Sequence, residues 1–406
     1  MYIKRHIEFA VSERAREKGA VIVTGARQVG KTTLIENIKP DIPHVTFDDI
    51  TVRHRAKKDP AAFLQLNPPP LFIDEVQYAP EIFHFIKISL DRSRNKGDFY
   101  LTGSQSFELM KNVSESLAGR AGILNLMGLS LREMRNENWN EPFIPTADYL
   151  MRRKAAKIDL NINEVWKIIH RGCMPELFKE QSYNWQNFYS DYIKTYIERD
   201  VRNLTQVADE SDFMKFMTVC AAMTGSLLNI ASLAKEVGIS QPTAKRWLSI
   251  LKTSNIVYLL KPYSNNAIKR AIRTPKLYFL DTGLAAYLTR WLTPETLSTG
   301  AMNGHFFETF VVSELIKSYA NRGMDEYFYF LRDSNGREID LLIFQDNTLF
   351  PIEIKKHTNP SYRDIASFDM LKSVKNITIG EGGVICPSQD LLPLKDKHKI
   401  IPLWAV

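Results

Sequence analysis

Gly25-Ala26-Arg27-Gln28-Val29-Gly30-Lys31-Thr32 is the stretch on which the reading of the fold turns. It spells glycine, four residues, then glycine-lysine-threonine without a gap, which is the spacing of a phosphate-binding loop. Ala20 to Thr24 before it, Ala-Val-Ile-Val-Thr, reads as a short buried strand, and Thr32 to Ile38 after it has helical character. Glycines at 25 and 30 let the backbone curl with its N–H groups pointing inward at an anion. Lys31 is placed to meet β- and γ-phosphates, Thr32 to offer a hydroxyl to Mg²⁺, and the helix start to face the same negative charge. The expected nucleotide contacts are therefore Gly25, Ala26, Arg27, Gln28, Val29, Gly30, Lys31, Thr32 and Thr33, with ATP and Mg²⁺ as cofactors.

Working outward, Leu71-Phe72-Ile73-Asp74-Glu75 is an apolar strand ending in two carboxylates. Asp74 is expected to hold Mg²⁺ through water, and Glu75 to polarise the attacking water. A third strand ends Leu101-Thr102-Gly103-Ser104-Gln105. Thr102, Ser104 or Gln105 is positioned there to sense the γ-phosphate. Strands expected at 20–24, 44–48, 71–75, 99–103 and 122–128 alternate with helical patterns. That alternation implies an α/β fold with a mostly parallel sheet covered on both faces, and a ligand site at its carboxyl edge.

A chain of 406 residues is too long for one typical core and predicts two to three domains. Its 44 % hydrophobic and 24 % charged content fits a globular protein rather than a disordered one. No apolar run approaches a membrane span and no signal peptide opens the sequence, so no membrane partner is expected. Cys173, Cys220 and Cys386 lie far apart, which argues against a disulfide framework or a cysteine zinc site and fits a reducing cytoplasm. Net charge is +7, and its distribution matters more than its size. Between Ser226 and Lys276 stand nine basic residues (Lys235, Lys245, Arg246, Lys252, Lys261, Lys269, Arg270, Arg273 and Lys276) against the single acid Glu236. A positive field confined to one segment suggests one polyanion-binding face.

The expected order is an ATPase core at 1–135, a linker and helical connector at 136–225, a winged helix-turn-helix at 226–277 and a final α/β domain at 278–406. In the third unit, Ile230 to Val237 reads as a short helix and Gly238-Ile239 as the turn. Ser240 caps a second helix that tolerates Pro242 in its first turn. Ile256 to Leu260 reads as a strand suited to a wing. Gln241, Lys245 and Arg246 fall on the outward face of the second helix, where a nucleic-acid contact is expected, DNA in preference to RNA. In the last unit, Glu308 and Glu314 share a helix and Asp340 lies near the start of a strand. Glu353 and Lys355 alternate onto one face of the next strand. An Asp, a Glu-x-Lys and a helical Glu form a grouping suited to metal-dependent phosphodiester cleavage, with Asp340 and Glu353 as metal ligands.

The phosphate loop, Phe72-Ile73-Asp74-Glu75 and Leu101-Thr102-Gly103-Ser104 resemble the AAA+ ATPases of a prokaryotic group related to the archaeal-type ATPases. So do Ser116-Leu117-Ala118-Gly119-Arg120, Tyr278-Phe279-Leu280-Asp281-Thr282-Gly283-Leu284 and Gly304-His305-Phe306-Phe307-Glu308. The resemblance spans nearly the whole chain and implies a C-terminal domain similar to restriction-endonuclease-like nucleases. In that fold the acid, Asp and Glu-x-Lys positions fall on Glu308, Asp340, Glu353 and Lys355, with Glu314 as an alternative helical acid. No second sensor arginine is legible. Arg120 or Arg199 is the candidate arginine finger or trans-acting contact, with pairing to local acids as the alternative for each, and a homo-oligomer or a protein partner is expected. Two functions follow as expectations. One is an ATPase coupled to nucleic-acid binding, with or without cleavage. The other is an ATP-driven switch acting on a protein partner, its nuclease-like domain non-catalytic.

Overall fold

The computed structural model describes residues 2–103, 115–196, 210–263 and 273–406. Ser104, Gln105, Arg199, Lys269 and Arg270 lie outside the described residues.

Five strands form the first sheet: β1 Ala20–Thr24, β2 His44–Thr46, β3 Leu71–Asp74, β4 Phe99–Thr102 and β5 Ala121–Asn125. All neighbours pair in parallel, in the order β2-β3-β4-β1-β5. Continuous apolar runs suit strands covered on both faces. Alternation divides them: Val21, Val23, Phe72 and Tyr100 enter one core, while Ala20, Ile22, Leu71, Ile73, Phe99 and Leu101 enter another. The second core is confined to this sheet and its helices. The first continues through the connector helices into the C-terminal half, so the sheet is bonded to the rest of the chain by one uninterrupted apolar interior.

The connector contains helices Ile162–Arg171, Pro175–Lys179, Trp185–Tyr196 and Glu210–Ala222. Phe188, Tyr189 and Tyr192, at helical spacing on the third of these helices, are buried in the core. A helix pair follows, Ile230–Val237 and Gln241–Thr253. Gly238 between them has φ +89°, a left-handed turn that glycine adopts without strain. The Ser240 side chain accepts from the Thr243 N–H and so caps the second helix. Trp247 of that helix packs edge-on against Phe213 and Phe216.

The second sheet has ten strands: β6 Ser226–Leu227, β7 Val257–Pro262, β8 Lys276–Phe279, β9 Phe328–Arg332, β10 Glu338–Gln345, β11 Thr348–Ile354, β12 Thr378–Ile379, β13 Gly382–Cys386, β14 Leu392–Lys395 and β15 His398–Pro402. Their order is β14-β15-β13-β11-β10-β9-β7-β8-β6, with β12 beside β11. The strand expected as a wing is β7. It is an interior strand, antiparallel to β8 and parallel to β9. The helix pair is therefore joined through β7 to the C-terminal sheet, and the boundary expected at 277 falls inside β8.

Candidate functional site

At the carboxyl edge of the first sheet, β1 turns into the phosphate loop. Gly25 has φ +147°, and a Cβ there would lie 2.1 Å from the Leu126 carbonyl oxygen, so no side chain fits. Gly30, at φ +92°, opens the helix Lys31–Ile38. The Lys31 ammonium is buried and donates to the carbonyls of Ala26 (2.8 Å) and Gly25 (3.2 Å). Thr32 Oγ1 donates to Asp74 Oδ2 at 3.0 Å, and Thr102 Oγ1 donates to the other oxygen of the same carboxylate. Three strands, β1, β3 and β4, thus deliver one lysine, one carboxylate and two hydroxyls to a single edge. Glu75 follows β3 with φ +53°, a left-handed backbone that turns it out of the strand line. Its carboxylate accepts from the Gln77 amide.

Sequence reasoning missed Arg5. Its buried guanidinium donates to Val29 O in the phosphate loop (2.8 Å), to Met127 O (2.7 Å) and to Glu133 Oε1 (3.1 Å). An arginine near the start of the sequence carries no local signal of such a role. Arg120, one of the two candidate fingers, stands just before β5. Its backbone carbonyl accepts from Ala20 N, at the amino end of β1. That is the opposite edge from the loop, roughly 16 Å away along a five-residue strand. Its guanidinium is paired in a fork with Asp91, at 2.5 and 3.0 Å. The strand length keeps Arg120 away from this chain's own phosphate loop.

On the helix pair, Gln241, Lys245 and Arg246 are exposed on one outward surface, as their spacing predicts. Lys235, Lys252, Lys261 and Arg273 are exposed as well. Lys276 is not. It is 3 % exposed and points into the C-terminal fold.

There the sequence-predicted acids converge. In the pairing of β10 with β11, Leu341 stands opposite Ile352, so extending the register by one sets Asp340 opposite Glu353. The register of β10 against β9 shifts between Ile339 and Leu342, a bulge beside Asp340. Asp340 Oδ2 accepts from Ile354 N (2.8 Å) and from Lys355 Nζ (3.3 Å). Lys355 also donates to Glu353 Oε2 at 2.6 Å, which bears out the shared face of Glu353 and Lys355. Ser367 donates to the other Glu353 oxygen at 2.7 Å. Glu308 reaches the cluster from the helix Asn303–Ala320. Glu314, the alternative, does not. Six residues on, about 9 Å along the axis, it accepts from Leu131 N (2.7 Å) and Lys317 (2.8 Å) and joins this helix to the first domain.

Two further residues enter unannounced. Glu338 brings a carboxylate oxygen within 4.8 Å of those of Glu308 and Asp340. Lys276 Nζ lies between two of them, 2.7 Å from Glu308 and 2.6 Å from Glu338, and Tyr278 Oη donates to Glu308 at 2.6 Å. Both pairs sit two apart on a strand, so alternation was the available signal. Burial pushes the Glu308 carboxyl up, against the pull of Lys276. Burial, reinforced by the Asp340 charge, pushes Glu353 well above the usual carboxylate range. Burial works against the Asp340 carboxylate too, but Lys355 and Lys276 outweigh it and hold Asp340 low. Burial also disfavours the Lys276 ammonium, but Glu308, Tyr278, Asp340 and Glu338 together outweigh it and hold it well up.

Fit to a divalent ion differs between the two sites. At the first, Asp74 and Thr32 present oxygen atoms beside the loop and fit Mg²⁺ with a nucleotide. At the second, each carboxylate of the expected ligand set already accepts from an ammonium or lies beside one. As folded, that donor set does not fit an added divalent ion.

Comparison with known proteins gives three family matches. Residues 17–135 match an AAA domain, 162–295 match a Domain of unknown function (DUF8612), and 303–406 match a Domain of unknown function (DUF4143). An uncharacterised protein of Mycobacterium tuberculosis is 29 % identical over 99 % of this chain and 84 % of its own length. One of Methanocaldococcus jannaschii is 24 % identical over 88 % of this chain and 79 % of its own. Among solved structures, the RuvB Holliday junction branch migration motor of Thermotoga maritima aligns with 65 % of this chain and 91 % of its own at 17 % identity and a TM-score of 0.29. No helix among the described residues is long and apolar enough to cross a membrane.

Proposed function

We propose that this chain is a cytoplasmic ATPase that couples ATP binding and hydrolysis to the binding of nucleic acid, with DNA favoured. The observation that carries the ATPase reading is the meeting of Lys31, Thr32, Asp74 and Thr102 at one sheet edge, within residues that match an AAA domain. Backbone N–H groups of residues 25–33 cradle the phosphates, and Lys31 exchanges its carbonyl partners for β- and γ-oxygens. Thr32 and Asp74 hold Mg²⁺, which when bound neutralises charge on the β- and γ-phosphates. Glu75 takes the proton of the attacking water, its backbone turn placing it beyond the strand end. Ser104 is proposed as a γ-phosphate contact.

The nucleic-acid reading rests on Gln241, Lys245 and Arg246, exposed together on a capped helix in the most basic segment of the chain. In that reading the helix pair docks by its second helix in a major groove. The C-terminal fold serves as a nuclease-like module that binds without cutting. Arg120 is available as a contact to a neighbouring copy rather than to its own nucleotide. The test is incubation of the purified chain with labelled duplex, with and without ATP and Mg²⁺. Salt-sensitive, nucleotide-dependent retardation of intact duplex is expected. Nucleotide hydrolysis with no duplex retardation at any salt would instead favour the switch acting on a protein partner.

A further inference from the structure

Four acids in the C-terminal fold converge with two lysines, and the partnership of the second lysine is what sets this cluster apart. Lys355 lies two residues from Glu353 on the same strand and bonds Glu353 and Asp340. Lys276 comes from β8, in a different part of the sheet. It is 3 % exposed and bridges Glu308 and Glu338 at 2.7 and 2.6 Å. Arg332 neutralises the second oxygen of Glu338 at 3.0 Å. Aromatic rings of Tyr278 and Phe330 lie 5.9 and 5.8 Å from the Lys276 ammonium. Rings at that distance favour a cation beside them.

We infer that Lys276 is the resident cation of this cluster and stands where a divalent ion would be chelated by Glu308, Glu338 and Asp340. The three acids bring oxygens within 4.8 Å of one another, a spacing that suits one shared cation. A divalent ion needs several oxygens at roughly 2.0–2.6 Å. Two of those acids already contact the ammonium, and an ion that displaced it would leave the buried ammonium without its countercharges. The cluster is held by an internal countercharge and admits no metal while Lys276 remains in place. It takes its cohesion from the chain itself, which suits a module that binds rather than cuts. The inference rests on this cluster and is independent of ATP hydrolysis.

The test titrates the nucleotide-free full chain with Mn²⁺ alone and follows the free ion by electron paramagnetic resonance. The native chain and Asp340→Asn are expected to bind equal amounts of Mn²⁺ up to the millimolar range. Lys276→Met and the hydrogen-bonding Lys276→Gln are each expected to gain one Mn²⁺ site, at least about tenfold tighter than any in the native chain. Adding Asp340→Asn to either variant should remove that site. Mn²⁺ bound by the native chain and released by Asp340→Asn would overturn the assignment. So would folded Lys276→Met and Lys276→Gln that gain no site. Should neither variant fold, the native pair decides: Asp340-dependent Mn²⁺ overturns the assignment and its absence upholds it.

Discussion

The edge of the first sheet and the acid cluster of the second are built from the same residue types, lysine and carboxylate, but partner them differently. At the first, the Lys31 ammonium donates to two backbone carbonyls and the Asp74 carboxylate accepts from two hydroxyls. These are neutral dipoles, which a phosphate and a cation displace at small cost. At the second, Lys276 and Lys355 meet carboxylates directly. Opposite charges in a buried setting satisfy one another and give little to a ligand. The contrast is between charges arranged for an incoming group and charges already used in holding strands together.

The largest effect expected from breaking this comparison is at Lys31. Lys31→Ala should abolish nucleotide binding and turnover while moving unfolding stability by within about 1 kcal/mol, because carbonyl contacts are weak net contributors. Equilibrium binding of a fluorescent ATP analogue beside a urea melt checks both halves. The mirror-image outcome belongs to Lys276. Lys276→Met should cost roughly 3–5 kcal/mol of stability by leaving Glu308 and Glu338 without their shared cation, and should leave the ATPase rate per folded molecule unchanged. A urea melt with equal stability in both proteins would erase the distinction between the regions.

Smaller effects sharpen the comparison within each region. Glu75→Gln should preserve ATP binding and lower turnover about a hundredfold, near 3 kcal/mol in the barrier. Single-turnover hydrolysis separates this from a binding defect, and an unchanged rate removes Glu75 from the chemistry. Lys245→Ala with Arg246→Ala should lower the log–log salt slope of duplex binding by about 2, one for each lost phosphate contact. These two side chains are exposed, so the ATPase site should not register their loss. An unchanged slope would shift the basic face to another role.

Reading the sequence went furthest where the chemistry is local. The five strands of the first sheet begin within one residue of their expected starts, because short apolar runs bounded by turns specify them without distant partners. Ser240 and Gly238 marked the helix pair for the same reason, since a cap and a left-handed turn act within four residues. Strand alternation placed Glu353 beside Lys355. Alternation had the means to add Glu338 to Asp340 and Tyr278 to Lys276, but nothing local said that these two strands share a cluster. Their meeting depends on a sheet in which β8 and β10 are held apart in order by β7 and β9.

By itself, then, the sequence determined the phosphate loop, its acidic partner strand, the parallel sheet and the capped helix pair, since each is written in contiguous or regularly spaced residues. Tertiary structure alone decided which charges face water and which face one another. It withdrew Lys276 from a basic segment into the company of Glu308 and Glu338, put Arg120 at the far edge from the Gly25–Thr32 loop, and used Glu314 to grip Leu131. The reason is that electrostatic pairing in a folded chain depends on distance and burial through space, and neither is encoded in the order of residues along the chain.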